Sequence, residues 1–309
     1  MQHPVDVVFH GRCPDGVVAA WMLSRALDGP IRLLPYLHGG PTPEPQSDEV
    51  WVLDVAFSAD TLRSWAQPGR RVFVLDHHQT SAAMLAEHMQ PLAVTLAQAL
   101  DPTFTGLGVS IVMAHSGAGL AAAAAVAVDP SVTVSDFVLD IEDRDLWRWE
   151  RPRSREVCAA VDAMADVDSL SPDALFAALD DLAVLNRDDL ADRGAPIVEA
   201  FDARVQELCH TGHLVQVAGS TVPFVEVPEA RFGSDVGHRL LELHPDAPFS
   251  GYWYREDGGP LRVGLRSNDG RADVERVAAR FGGGGHRNAS GLTCSHLDEL
   301  AVASGLNQI

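Results

Sequence analysis

The first half of the chain alternates short apolar runs with segments whose apolar residues recur at helical spacing. The apolar runs predict strands over residues 5–9, 31–37, 50–53 and 72–75. Helices are predicted over residues 15–27, from Ser58 as an N-cap through Trp65, and over the Ala- and Val-rich residues 118–128. Strands and helices that alternate in this way are typical of a parallel sheet with crossover helices.

The second half changes character after a helical stretch. Residues 171–209 have apolar positions at helical spacing with many acids between them, which predicts exposed helices. Further strands are predicted over residues 214–217, 224–227, 251–254 and 261–265, with helices near residues 234–243 and 273–280.

A chain of 309 residues can bury two ordinary cores. We therefore predict an α/β fold with two domains. The first is an N-terminal parallel-sheet domain over residues 1–190, followed by a linker helix over 191–212. The second is a smaller C-terminal α/β domain over residues 213–309.

Polar side chains follow directly after three of the predicted strands. They are His10, Asp54 and Asp76. Ligands of open α/β sheets bind beyond the carboxyl ends of the strands, so we expect these side chains to meet at one edge. The run Asp76-His77-His78 is the most informative, because two imidazoles and a carboxylate have no packing reason to cluster there, whereas a divalent metal accepts all three.

Other segments offer candidate ligands, but each also has a structural explanation. His10, Cys13 and Asp15 can face inward together, yet a strand-to-helix turn capped by Asp15 explains this segment equally well. Asp54 can likewise cap the turn after its strand. Residues 140–147 carry acids at spacings of two and three, which a solvated charge run would also produce.

A glycine-rich segment over residues 281–291 follows a predicted helix. Four consecutive glycines allow backbone N–H groups to converge on an anion, although a flexible turn is the alternative. Residues 261–291 contain six Arg and only three acids. We expect this region to bind a substrate phosphate. The residues expected to do so are Arg266, Ser267, Gly283, Gly284, Gly285 and His286.

The overall composition limits the partners. The formal net charge is -20, and all 23 basic residues are Arg. Such an acidic surface argues against binding long duplex nucleic acid, which requires neutralisation of many phosphates, whereas a local basic region suits a short anionic ligand. The four cysteines have no paired spacing and are expected to be reduced thiols. Without a long apolar run or a signal-peptide pattern, the protein is expected in the cytoplasm and not in a membrane.

Together these motifs resemble the DHH phosphoesterase family. The resemblance covers nearly the whole chain, because residues 282–291 look like the glycine-rich motif of the DHH-associated C-terminal domain. The form of the first motif, together with residues 116–119 and 143–147, is closest to the oligoribonuclease- or nanoRNase-like prokaryotic branch.

The resemblance implies two divalent ions per active site, usually manganese, with magnesium or cobalt as alternatives. The implied metal ligands are His10, Asp15, Asp54, His77 and Asp143, with Asp54 bridging the ions. Asp76, His77 and His78 would be the catalytic residues. Asp76 would orient His77, and His78 would face the substrate phosphate, while Arg266 and His286 would hold that phosphate or a terminal nucleotide. The resemblance thus implies an active site in the cleft between the two domains.

The first motif departs from the family pattern at Cys13. Family members usually carry two Asp there, and Cys13 stands in place of the earlier one. A thiolate is a softer ligand than a carboxylate, so an ion bound by His10 and Cys13 would be held less firmly or would be biased away from manganese. Cys13 is alternatively only a small buried spacer.

The function expected from the resemblance is a manganese-dependent phosphodiesterase or exonuclease that degrades short single-stranded RNA or DNA to mononucleotides. The alternatives are hydrolysis of linear or cyclic dinucleotides, dephosphorylation of 3′-phosphoadenosine 5′-phosphate, pyrophosphate cleavage, or nucleotide binding without catalysis. A homodimer is also compatible with the sequence, although no exposed apolar stripe marks an interface.

Overall fold

Five parallel strands form the sheet of the N-terminal half in a computed structural model that describes residues 4–67, 69–255 and 258–301. The sheet order is β2-β1-β3-β4-β5. These strands are β1 Val5–His10, β2 Ile31–Tyr36, β3 Glu49–Leu53, β4 Arg71–Asp76 and β5 Gly106–Ile111. The first four confirm the strands predicted from the apolar runs, whereas β5 was missed because its glycines and Ser110 interrupt the apolar pattern.

Helices cover both faces of this sheet. They are α1 Pro14–Ser24, α2 Ala59–Trp65, α3 Gln79–Met84, α4 Leu92–Leu100, α5 Gly117–Val128, α6 Asp136–Asp145, α7 Ser154–Met164, α8 Pro172–Ala183 and α9 Arg187–Cys209. Alternate residues of each central strand enter opposite cores: Val7 and Phe9 of β1 pack on the side of α1 and α5, and Val8 packs on the side of α2. Burial on both faces explains why these strands are continuous apolar runs.

A second, mixed sheet is built from the strands that follow α9, in the order β10-β11-β9-β8-β7-β6. They are β6 His213–Val217, β7 Ser220–Glu226, β8 Ser250–Arg255, β9 Leu261–Arg266, β10 Gly284–His286 and β11 Ala289–Cys294. Its helices are α10 Gly233–Leu243 and α11 Val274–Ala279, each packed over one face. The predicted α/β class with two sheets is therefore confirmed.

The chain divides into two units, Met1–Val198 and Glu199–Ile309, and α9 includes residues on both sides of this division. Among the described residues, none of the helices combines the length and the apolar character needed to span a bilayer.

A buried carboxylate fixes one end of the first sheet. Asp6 lies inside β1 and is completely buried. It accepts hydrogen bonds from Arg32 Nε at 2.8 Å, from the Ser47 backbone N at 3.0 Å and from Ser47 Oγ at 2.7 Å, and it also accepts one from the Gln46 backbone N. Burial favours the neutral acid, but Arg32 and these donors outweigh it and lower the pKa of Asp6 to about 2.

We expect Asp6→Asn to lower the free energy of unfolding by about 2 kcal/mol at pH 7. The folded-state pKa lies below the ordinary value of 3.8, so this contribution is complete above about pH 5 and is lost as the pH falls through 2. Denaturant unfolding in EDTA at pH 7 and pH 3 would measure it. The matched control is Asp60→Asn, whose side chain is 95% exposed. A difference between Asp6→Asn and wild type that does not shrink with acid would contradict this account.

Candidate metal centre

The polar side chains that follow strands β1, β3 and β4 meet at the carboxyl edge of the parallel sheet. His10 is the last residue of β1, Asp76 is the last residue of β4, and Asp54 directly follows β3. Asp54 and His77 are almost completely buried, with relative exposures of 1% and 2%. The expected meeting of these segments at one edge is therefore seen in the structure.

Asp54 lies at the middle of this cluster. Its Oδ2 is 3.3 Å from His10 Nδ1, and its Oδ1 is 3.1 Å from His77 Nε2. Burial alone would raise the pKa of Asp54, but the hydrogen bonds to His10 and His77 lower it well below the usual range. The backbone of Asp54 has φ 57°, in the left-handed region that Asp tolerates better than most residues. Asp54 thus presents one carboxylate oxygen to each of two different histidines.

Asp15 is positioned by the first turn of α5. Its two carboxylate oxygens accept hydrogen bonds from the backbone N–H groups of Gly117 at 2.6 Å and Ala118 at 3.0 Å. A Cβ atom at Gly117 would lie 2.5 Å from the Asp54 Cβ and 2.7 Å from Asp15 Oδ2. Gly117 therefore allows the start of α5 to approach both carboxylates, a role that the sequence did not predict for residues 116–119.

Two groups of side chains in this cluster could each hold one cation. The Asp15 group consists of Asp15, His77 and Asp145, and the Cys13 group consists of His10, Cys13 and Asp54. Within each group the candidate ligand atoms all lie within 4.8 Å of one another. Asp54 also groups with Asp76, His77 and His78, which makes the cluster continuous.

The structure places Asp145, and not Asp143, in this cluster. Asp145 Oδ2 is 3.5 Å from His77 Nε2. The Asp143 carboxylate instead accepts hydrogen bonds from the backbone N–H groups of Glu150 and Arg151 and from Ser154 Oγ. Both acids belong to α6, and a separation of two residues directs them to different sides of a helix. Asp143 was expected to be a metal ligand, but its carboxylate binds the loop after α6, and Asp145 is the acid of α6 that lies beside His77.

The contacts of Asp76 also differ from the expectation. Asp76 was expected to orient the ring of His77, but its Oδ1 accepts a hydrogen bond from the backbone N–H of His77 and lies 2.7 Å from His78 Nδ1. Asp76 therefore orients the ring of His78. Its other oxygen, Oδ2, is buried and has no hydrogen-bond partner among the described residues.

The charges of the cluster favour a cation. Burial raises the pKa of Asp15, and the nearby Asp145 and Asp54 carboxylates raise it further. Burial would lower the pKa of His77, but Asp54 and Asp145 outweigh it and raise it to about 10. Both shifts favour the protonated forms of Asp15 and His77, and a bound cation would offset the same negative charge. Oxygen and nitrogen donors in this mixture suit Mn²⁺ and similar divalent ions, so the residues fit a metal centre.

The candidate phosphate-binding residues lie in the second sheet. Arg266 ends β9, and its Nη2 donates hydrogen bonds to Ser234 Oγ at 2.7 Å and to Tyr252 OH at 3.1 Å. In the strand register, Arg266 is opposite Ala289 of β11, and Ala289 is opposite His286 of β10. Arg266 and His286 thus stand at the same level with one strand between them.

Ser267 and the glycines expected to bind phosphate also contribute to the structure of the second sheet. Ser267 is buried, and its Oγ donates a hydrogen bond to the Ala272 carbonyl at 2.6 Å. Gly284 and Gly285 belong to strand β10, and Gly283 directly precedes it. A Cβ at Gly283 would lie 2.2 Å from the Gly291 carbonyl oxygen, so this glycine is required by strand packing.

The amino-acid sequence is similar to those of two known proteins. No family model matches the chain. It is 26% identical to the uncharacterized protein R106 of Acanthamoeba polyphaga mimivirus, over 94% of this chain and 68% of that protein. It is 23% identical to oligoribonuclease NrnB of Bacillus subtilis (strain 168), over 82% of this chain and 61% of the relative. The chain thus spans less than two thirds of the length of NrnB.

Among solved structures, the fold is similar to the DHH domain of a protein described as a member of a family of ribosomal proteins. The TM-score is 0.60 at 12% identity, with 97% of this chain and 85% of that structure covered. The chain therefore has the fold of a DHH domain, and the order of its motifs resembles that of the DHH phosphoesterase family. Its DHH motif is Asp76-His77-His78, at the end of β4.

Knowledge of the DHH motif alone would not have located Asp145. The signal that could have found it is helical periodicity: residues 136–145 form α6, so only some of its acids can face the DHH motif. The sequence alone presents residues 140–147 as a run of acids, and the family resemblance selects Asp143 without establishing which side of a helix each acid occupies.

We expect opposite effects from Asp145→Asn and Asp143→Asn. Asp145→Asn removes one of several clustered negative charges, so stability in EDTA should be unchanged or higher, and most of the stabilisation by Mn²⁺ should be lost. Asp143→Asn leaves a donor of the loop after α6 without its acceptor and should lower stability in EDTA by about 1–3 kcal/mol. Thermal unfolding of both variants with EDTA and with Mn²⁺ measures this. The reverse pattern would restore the original assignment to Asp143.

Gly117→Ala should weaken metal binding, because the added methyl group must displace Asp54 or Asp15. The cost of such overpacking is typically about 1–3 kcal/mol. The matched control is Gly119→Ala in the same helix turn, where a Cβ meets only the end of the Glu142 side chain. Isothermal titration with Mn²⁺ should show a larger loss of affinity for Gly117→Ala. Equal affinities in the two variants would show that α5 does not position the carboxylates.

Proposed function

We propose that this protein is a metal-dependent phosphodiesterase that removes mononucleotides from short single-stranded RNA or DNA. The observation that carries the proposal is the cluster at the carboxyl edge of the parallel sheet. Its proposed metal ligands are His10, Asp15, Asp54, His77 and Asp145. A pair of divalent ions, with Mn²⁺ as the first choice, would activate a water molecule and stabilise the charge that develops on the phosphate.

Individual side chains of the cluster have different proposed roles. Asp54, with one oxygen directed to each of two histidines, is the proposed shared ligand. Burial opposes a charged ring at His78, but the hydrogen bond and charge of Asp76 outweigh it and raise the pKa of His78. A protonated ring held by Asp76 through Nδ1 can donate its other N–H to a phosphate oxygen. His78 is therefore the proposed phosphate contact and Asp76 the residue that positions it.

The C-terminal unit would supply the second contact with the substrate. Arg266 is fixed by Ser234 and Tyr252, and it stands level with His286 across the sheet. A fixed guanidinium suits a phosphate group, because its N–H donors match the phosphate oxygens. We propose that Arg266 and His286 hold a phosphate or terminal nucleotide. The net charge of -20 favours short substrates over long polyanions.

The similarity to a protein named as an oligoribonuclease supports this choice of substrate class. Dinucleotides, cyclic dinucleotides and 3′-phosphoadenosine 5′-phosphate present the same phosphate chemistry to the cluster. They therefore belong in the substrate panel, and cleavage confined to one of them, with longer oligonucleotides left intact, is the competing outcome.

The test is to incubate the protein and Mn²⁺ with end-labelled RNA and DNA ladders from dinucleotides upward. We expect stepwise release of mononucleotides, fastest on the shortest substrates, and at least a roughly hundredfold loss of rate in His77→Ala. The matched control is His296→Ala, which changes an exposed histidine of the other unit and should retain activity. If the metal-loaded protein cleaves only cyclic dinucleotides or the bisphosphorylated nucleoside, the oligonucleotide proposal is wrong. If it cleaves none of them, the phosphodiesterase proposal is wrong.

A further inference from the structure

Cys13 differs from the other cysteines in its surroundings. Cys158, Cys209 and Cys294 are buried, whereas Cys13 is partly accessible. The thiols of Cys158 and Cys209 lie against backbone carbonyls, Cys158 at 3.2 Å from the Asp140 carbonyl oxygen. Cys13 occupies the N-cap position of α1, but its side chain makes no capping hydrogen bond. Cys13 is therefore more accessible than the three core cysteines, and burial together with the Asp54 and Asp15 carboxylates raises the pKa of its thiol.

The neighbours of this thiol are metal-binding side chains. The Sγ of Cys13 groups with a ring nitrogen of His10 and a carboxylate oxygen of Asp54, all within 4.8 Å of one another. Zinc binds sulfur and nitrogen at roughly 2.0–2.3 Å, so donors to one ion lie roughly 3–4.5 Å apart. Small side-chain adjustments would bring these three donors to a single ion.

A second observation in the same cluster also indicates a missing cationic partner. Asp76 is completely buried and groups with Asp54, His77 and His78. Its Oδ2 has no hydrogen-bond partner among the described residues, although buried polar atoms are normally paired. The DHH segment beside the Cys13 group therefore contains a buried carboxylate that interacts with His78 and Ser81 but whose Oδ2 makes no hydrogen bond within the described residues.

The two donor groups differ in chemical character. The Asp15 group offers only carboxylate and imidazole donors, whereas the Cys13 group adds a sulfur atom. Asp54 directs Oδ1 towards His77 of the first group and Oδ2 towards His10 of the second. Carboxylates suit Mn²⁺ and Mg²⁺, while thiolate with imidazole suits Zn²⁺ and Co²⁺.

We infer that Cys13 is a thiolate ligand and that the centre is asymmetric, with a thiophilic ion such as Zn²⁺ or Co²⁺ in the Cys13 group and Mn²⁺ in the Asp15 group. This inference rests on the proposed function, because it requires the cluster to be a metal centre. Binding converts the thiol to a metal–sulfur bond and releases its proton to solvent.

Co²⁺ provides a direct test that does not depend on activity. Metal-free protein is titrated with Co²⁺ while the near-ultraviolet sulfur-to-cobalt charge-transfer absorption is recorded, and native mass spectrometry counts the bound ions. We expect the absorption in the wild type and in the control Cys294→Ser. It should be absent in Cys13→Ser and Cys13→Asp, with folding verified by circular dichroism.

Competition between Zn²⁺ and Mn²⁺ provides the second measurement. Cys13→Asp supplies a carboxylate in place of the thiolate, so it should still bind two ions. Its preference for Zn²⁺ over Mn²⁺ should fall at least about tenfold. Loss of a residue that only supports a metal ligand already costs roughly 10-fold to 100-fold in metal affinity, and Cys13 is proposed as a ligand itself.

The outcomes separate this inference from the proposed function. If the wild type binds two Co²⁺ ions without the sulfur absorption, and Cys13→Asp keeps the same metal preference, Cys13 is only a spacer and the phosphodiesterase proposal stands. If native mass spectrometry finds no bound ion under any condition, both proposals are wrong.

Discussion

Repulsion between clustered carboxylates is the constraint around which the N-terminal unit is arranged. Asp15 and Asp54 are buried beside His77, and the more exposed Asp145 lies 3.5 Å from the same ring. Such an arrangement is unfavourable unless nearby groups offset the negative charge. His10, His77 and the first N–H groups of α5 provide part of that compensation. The parallel sheet supplies the rigid edge on which these groups are brought together, and a bound cation would complete the compensation.

Much of this arrangement could be predicted from the sequence because parallel strands buried on both faces leave continuous apolar runs. The polar residue that ends such a run marks the carboxyl edge, which is why His10, Asp54 and the DHH motif could be grouped from the apolar pattern alone. Strand β5 could not be found in this way, because its glycines and Ser110 interrupt the apolar pattern.

The choice between Asp143 and Asp145 required three-dimensional information. Sequence spacing identified the acidic run, but the decision depends on which side of α6 packs against the sheet and on the loop that returns to Asp143. The same limit applied to Asp76, whose contact with His78 depends on the path of the chain after β4. In the second unit, the glycine-rich segment is recognisable from composition, while its inclusion in strand β10 depends on pairing with β11.

The left-handed backbone of Asp54 restricts evolution at this position more than its charge alone would. A replacement must provide oxygen atoms to both sides and must also tolerate positive φ, and among residues with a side-chain oxygen Asp and Asn tolerate that backbone best. Glu would preserve the charge, but it is less suited to this backbone and would lengthen the side chain beside Gly117. A lineage that loses Asp54 therefore has few single-step routes back to a working centre, so this position should record whether a homologue has kept or abandoned its chemistry.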